Sequence, residues 1–159
     1  MKHGLVALLA LVLAGCGSKT EEGTAQRAAA ASAQVAGSDE VAAVLESAGT
    51  PVAKVRFVID TLPVAGRAFK VKVVVASATP VPQLLVKVTA EDITVEPPTV
   101  ILVLGETAGG GSEISNSHTF SVTAQQEGLA ELAVRLTTAP DVPETVYIIP
   151  VLVAKPGSG

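Results

Sequence analysis

The chain has 159 residues, 11 of them basic and 15 acidic, for a formal charge of −4, and 48% of it is hydrophobic. At roughly 100–200 residues per domain, that length holds one domain plus a tail or targeting segment. An acidic chain with 3% aromatic residues, no Trp and one Tyr is unsuited to clamping nucleic acid or stacking bases and sugars, and one Cys with two His cannot build an intrachain disulfide or a multi-ligand zinc framework.

Met1-Lys2-His3 makes a positive start, followed by an unbroken apolar run from Leu5 to Leu13 and then Ala14-Gly15-Cys16. The run is well short of the ~20 residues a membrane-spanning helix needs. Small residues stand just before a possible cleavage point, so residues 1–15 are expected to be a secretory signal peptide, an address rather than part of the fold. Leu13-Ala14-Gly15-Cys16 resembles the lipobox of bacterial lipoprotein precursors, a match of four positions behind a well-formed upstream region. The resemblance implies diacylglycerol transfer to the Cys16 thiol, cleavage between Gly15 and Cys16, and acylation of the new amino terminus. Each buried methylene contributes ~0.8 kcal/mol, so one acyl chain holds a protein marginally and several hold it effectively permanently. Cys16 is then a thioether, and apart from this covalent lipid no cofactor or metal is expected. Gly17 stands where inner-membrane-retained lipoproteins of many Gram-negative bacteria carry Asp, so the resemblance implies an outer-membrane protein facing the periplasm.

Removing residues 1–15 takes Lys2 with them and changes the balance to 10 − 15 = −5, which gives the mature chain no attraction to anionic lipid. Residues 17–37 are mostly Gly, Ser, Thr, Glu, Gln and Ala, with Lys19 and Arg27 as the basic residues and Val35 the one larger apolar side chain. Such a segment cannot form a core. As a flexible tether it spans roughly 25 Å at 5–6 Å × √n. Ser38 as N-cap, Asp39 and Glu40 in a first turn and Gly49 as terminator predict a short helix over 39–48, with Val41, Val44, Leu45 and Ala48 on one face docking on the following domain. The competing reading is a continued tether.

From Pro51 the apolar period changes to two. Val55, Phe57 and Ile59 alternate with Lys54, Arg56 and Val58, and Phe69, Val71, Val73 and Val75 alternate with Lys70, Lys72 and Val74, the pattern of half-buried strands. Leu62 to Gly66 is a turn by its Pro and Gly. Leu84 to Thr89 gives another strand, Ile93 to Val95 a short one stopped by Pro97-Pro98, and Thr99 to Leu104 one that is apolar on both faces. His118, Phe120 and Val122 share one side of 116–123; Ala130, Leu132, Val134 and Leu136 share one side of 128–137; the last run is 145–153. Seven or eight strands separated by Pro- and Gly-containing turns, with no helical period between them, predict an all-β sandwich. Phe57, Phe69, Phe120 and Tyr147 fall on four different strands, a spacing suited to a shared core.

The strand Gly128-Leu129-Ala130-Glu131-Leu132-Ala133-Val134, behind Phe120-Ser121-Val122 and an acidic turn at Glu127, resembles the penultimate strand of bacterial immunoglobulin-like domains. Leu62 to Val71 is similar to the start of their second strand. The resemblance spans most of 52–154 through generic motifs and implies an immunoglobulin-like sandwich over 51–155, with 156–159 as a tail. The chain departs from the antibody pattern in lacking a core Trp, a Cys pair and a corner Tyr, and a transthyretin-like sandwich remains open. Neither fold implies a chemistry.

Candidate sites are few. His118, in phase with Phe120 and Val122, reads as a packed structural histidine; a hydrolase would need it within reach of a Ser and a carboxylate. Gly109-Gly110-Gly111 lacks the following Gly-Lys-Ser/Thr of a phosphate loop. Glu91, Asp92 and Glu96 are close in sequence but lack the spaced oxygen ligands and central Gly of a calcium loop. If the 54–59, 69–75 and 116–123 strands share a sheet, its outer face carries Lys54, Arg56, Lys70 and Lys72 among hydroxyls, a stripe suited to an anionic envelope polymer or acidic partner. Val100–Leu104 and Val146–Val153 are apolar on both faces and need cover from the 39–48 helix, from a neighbouring strand or from another protein. Pro150 places the last strand at an edge or a bulge.

The reading is a lipid-anchored envelope protein whose non-catalytic sandwich binds or scaffolds another envelope component. The alternative is a binding module for a small ligand, a glycan or an enzyme, with a concave site among the loops near 61–66, 89–99 or 105–117.

Overall fold

The computed structural model describes residues 39–47, 50–105 and 113–157. The signal segment, Cys16, Gly17, the tether and the Gly109–Gly111 run lie outside the described residues. Ten strands follow in chain order: β1 (Val41–Ala42), β2 (Val44–Leu45), β3 (Lys54–Ile59), β4 (Ala68–Ser77), β5 (Val81–Thr89), β6 (Ile93–Glu96), β7 (Thr99–Leu104), β8 (Ile114–Ala124), β9 (Gly128–Thr137) and β10 (Thr145–Val153). They form two antiparallel five-stranded sheets, ordered β1-β3-β4-β8-β6 and β2-β10-β9-β5-β7.

Period-two patterning decides which residues fill the space between the sheets. Val55 and Phe57, Phe69 to Val75 at odd positions, Leu84 to Val88 at even ones, Phe120 and Val122, Leu132 to Leu136 and Tyr147 to Val153 make one continuous buried cluster. All four aromatic side chains enter it, each removing about 150–250 Å² from water. Phe120, Leu84, Leu104, Leu132 and Ile149 are fully enclosed. The 62–66 turn forms as expected: Arg67 N–H donates to Val64 O at 3.0 Å, and Gly66 takes φ 74°, a backbone state that glycine adopts without a Cβ clash. Pro82 enters β5 where its register against β7 slips between Val81 and Leu84, a bulge of the kind that admits proline into a sheet. The Glu96–Pro97 peptide between β6 and β7 is cis.

The predicted 39–48 helix is corrected. Among the described residues this segment holds the two-residue strands β1 and β2 and no helix. β1 pairs with β3 (Val41↔Phe57, Ala42↔Arg56), and β2 pairs with β10 (Leu45↔Tyr147, Val44↔Ile148). Ala43 N–H donates to Val55 O at 2.9 Å and Glu46 N–H to Val146 O at 2.9 Å, so the segment crosses from the edge of one sheet to the edge of the other. The physical reason is competition. A helix of about ten residues is marginal alone and Val41 and Val44 are stiff at χ1, whereas two open sheet edges offer ladder bonds that a docked helix would leave unmade.

The two ends of the sandwich differ. One end carries the 60–67, 90–92 and 125–127 loops together with the end of β10; the other carries the 78–80 and 138–144 loops. Because β1 runs antiparallel to β3, the chain preceding Val41 points toward the end bearing the 60–67 loop.

Candidate interaction surfaces

β3, β4 and β8 do share a sheet, and strand alternation puts Lys54, Arg56, Lys70 and Lys72 on its outer face. Register places Lys70 opposite Ser121 and Lys72 opposite Thr119. Half of the stripe is already matched by carboxylates. Arg56 Nη2 lies 3.4 Å from Glu113 Oε2 and its Nε 3.4 Å from Glu40 Oε2, while Lys54 Nζ lies 3.6 Å from Glu113 Oε1. The Nε is buried without an aligned acceptor, so Glu40 acts on it through charge at ion-pair distance rather than through a directed hydrogen bond. Lys54 is 79% exposed, and such pairs contribute only about 0–1 kcal/mol. Beside them Val74 and Ala76 are buried on this outer face, in register with Arg56 and Lys54, as expected where long cationic side chains lay their stems on the sheet. Lys70 and Lys72 are left as the cations of the stripe with no ion pair among the described residues.

The outer face of the second sheet is the more apolar surface. The 39–48 helix, one of the expected covers, is not found among the described residues. Ile101 and Val103 on β7 are 57% and 56% exposed, and Ile101 sits directly opposite the exposed Leu85 on β5. Val88 N–H donates to Pro98 O; antiparallel alternation then turns the backbone groups of Thr99, Ile101 and Val103 away from β5, off the sheet. Asn116 Nδ2 donates to Val103 O at 3.0 Å and occupies part of that edge. On the same face, toward the end bearing the 60–67 loop, Leu129 lies opposite Leu152.

Pro150 is placed as expected. Val146 O accepts from Glu46 N–H and Val146 N–H donates to Ser47 Oγ at 3.1 Å, so even-numbered residues of β10 direct their backbone groups away from β9. The missing N–H of Pro150 therefore falls on the open edge beyond β2, and no bond to β9 is lost.

His118 is half-buried and meets Phe120 edge-on, with ring centroids 4.9 Å apart at 69°. Ser117 and Thr119 point to the opposite face of β8 by alternation, as do Ser115 and Ser121. The acids noted in the sequence separate: Glu96 lies opposite Ser121 on the first sheet, while Glu91 and Asp92, the latter at φ 54°, belong to the turn before β6. That turn, with Glu127, Leu129, Glu131 and Arg135, borders an open cleft of about 710 Å³. Among the described residues no three His, Cys, Asp or Glu side chains converge as a metal site, and no helix is long and apolar enough to cross a membrane.

Glu40 and Glu113 as partners of Arg56, the Tyr147–Ala53 contact and the exposure of Leu62 escaped the sequence reading. The first two depend on pairs far apart in the chain, for which periodicity carries no signal. The third had one: a Leu in a Pro/Gly turn has no strand neighbour to cover it. No protein-family model matches the chain, and no curated protein matches its sequence.

Proposed function

We propose that the chain is a lipid-anchored protein of a bacterial envelope, held through acylated Cys16, in which the sandwich works by contact with another envelope component and not by turnover. The observation that carries this reading is the Leu5–Leu13 run closed by Leu13-Ala14-Gly15-Cys16. The contact surface best supported is the outer face of the second sheet around Leu85, Ile101 and Val103, where apolar side chains adjoin the backbone groups that edge strand β7 turns off the sheet. Lys70 and Lys72 offer a weaker site for an anionic polymer. The alternation that turns the β8 serines away from His118 argues against a Ser-His hydrolase.

Strand order supports the immunoglobulin-like reading. With β3, β4, β5, β6, β8, β9 and β10 lettered A to G, the sheets read A-B-E-D and G-F-C, the seven-strand arrangement of that fold; β7 is then an addition beside C, and β1 and β2 are short straps on the outer edges.

The test is the mass of the mature amino-terminal peptide together with detergent-phase partitioning of the whole protein. The reading expects a peptide beginning at acylated Cys16 and a protein in the detergent phase, with Cys16→Ser moved to the aqueous phase. An unmodified terminus, or a wild type that stays aqueous, overturns it. Affinity capture from solubilised envelopes, compared between the wild type and Ile101→Glu, then tests the contact surface.

A further inference from the structure

Three leucines stand out from every other large apolar side chain described: Leu62 at 68%, Leu129 at 70% and Leu152 at 69% exposure. They lie at one end of the sandwich. Leu129 and Leu152 are direct cross-strand partners on the outer face of the second sheet. Val64 bridges Ala154 in parallel, with Ala154 N–H donating to Pro63 O at 2.8 Å and Ala65 N–H to Ala154 O at 3.0 Å. Leu62 and Leu152 each stand two residues before those bridged partners, so the bridge seats the 60–67 loop, which carries Leu62, against the same end of β10 that carries Leu152. This end of the sandwich is also the one from which the chain arrives, since β1 is antiparallel to β3 and its N-terminal side faces Ile59 and the 60–67 loop.

We infer that this tip is a lipid-contacting surface: Leu62, Leu129 and Leu152 rest in the interfacial region of the bilayer to which Cys16 is anchored. The inference rests on the anchoring reading above and adds an orientation to it. Between Cys16 and Asp39 run 22 residues; a random coil of that many residues spans roughly 26 Å. A leash of that length holds the tip at a roughly millimolar effective concentration over the membrane, so a patch too small to bind lipid from free solution is sufficient once tethered. The same placement lifts Ile101 and Val103, nearer the other end, away from the bilayer and toward a partner. Charge favours apolar over electrostatic contact. In the loops of this end Asp60, Glu91, Asp92 and Glu127 outnumber Arg67 and Lys155, so the tip suits uncharged headgroups and is repelled by anionic ones.

The absence of Trp from the chain makes a direct test available. Full-length lipidated protein carrying Leu152→Trp, or independently Leu129→Trp, is incorporated into phosphatidylcholine vesicles, with Val103→Trp as the control at the other end; flotation reports anchoring and Trp emission reports contact. The inference expects all three to float, the emission of the two tip variants to shift to shorter wavelength and be quenched by lipids spin-labelled near the headgroup, and Val103→Trp to do neither. Adding phosphatidylglycerol should reduce the shift. Protein that floats with no shift at either tip position overturns the orientation and leaves the anchor standing, whereas protein that fails to float overturns both. An equal shift at Val103→Trp, or a shift without vesicles that grows with protein concentration, overturns the lipid assignment in favour of non-specific adsorption or a second copy of the chain.

Discussion

The hydroxyl of Tyr147, on the last strand of the second sheet, donates to the carbonyl of Ala53, just before the first long strand of the other sheet and 94 residues away in sequence. Both residues are buried, so the bond ties the two layers together from inside the core. Burial also pushes the Tyr147 phenol above its usual value of 10.0.

A pH dependence follows. Above pH 10 the unfolded chain releases the phenolic proton while the folded chain retains it, so the native state binds more protons and stability must fall as pH rises from there toward the folded value. Tyr147→Phe leaves a buried acceptor without its donor and is expected to cost about 1–3 kcal/mol at neutral pH, while the alkaline loss becomes shallower. Every other ionisable group is common to both proteins and cancels in the comparison. Urea melts at neutral and alkaline pH check both parts, and because the chain has one Tyr, tyrosinate absorbance reports this group alone. An identical alkaline slope in the two proteins would be incompatible with a buried, protonated Tyr147.

Arg56 ties together the residues that lead into two different strands, Glu40 before β1 and Glu113 before β8. Glu113→Gln and Glu40→Gln should each lower stability by less than about 1 kcal/mol, with the loss shrinking at high salt. A double-mutant cycle between Arg56→Met and Glu113→Gln isolates the pairwise term. In the doubly neutralised variant, Glu40→Gln/Glu113→Gln, the outer face of the first sheet keeps Lys54, Arg56, Lys70 and Lys72 without their acids. Its retention on a polyanionic resin at moderate salt should exceed the wild type's; equal retention would mean that the two carboxylates do not mask the stripe.

Most strands from Lys54 onward were legible because they follow one rule, apolar side chains every second residue broken by Pro or Gly; β7 and β10, apolar on both faces, were legible as short apolar runs between such breakers. The core list follows from the same rule. Residues 39–47 were misread for a physical reason. Val41, Val44 and Leu45 fit a helical face by spacing, and the choice between helix and strand was made by sheet edges contributed by Phe57 and Tyr147, which lie outside any local window. The partners of Arg56 were invisible on the same grounds, and so was the gathering of Leu62, Leu129 and Leu152 at one end, which needs the Leu129–Leu152 pairing and the parallel bridge between Val64 and Ala154.

That strap of β1 and β2 is short enough to be probed directly. Alternation aims the Val44 amide at Ile148, and Val44→Pro removes it. The expected cost is about 1 kcal/mol of stability, with faster hydrogen exchange at Glu46, Ser47 and Ile148 and no change at Leu132 or Val134 in the core. If exchange at Ile148 is unaffected, β2 does not close the β10 edge in solution.

Pro150 guards what β2 leaves open. Between Ile148, paired with Val44, and Ala154, bonded to Pro63 and Ala65, the outward-directed backbone groups of β10 belong to Pro150 and Leu152. Proline contributes no donor there, and the gap cannot template a full ladder with another chain. Pro150→Val restores an N–H and a β-branched side chain at a position already extended, so the urea midpoint should move little while association rises: light scattering at increasing protein concentration should show the variant self-associating where the wild type does not. Adding Leu152→Lys to Pro150→Val should reverse the effect, because a charge on the exposed edge opposes edge-to-edge pairing. A Pro150→Val protein that stays as dispersed as the wild type would assign edge protection to the two-residue β2 alone.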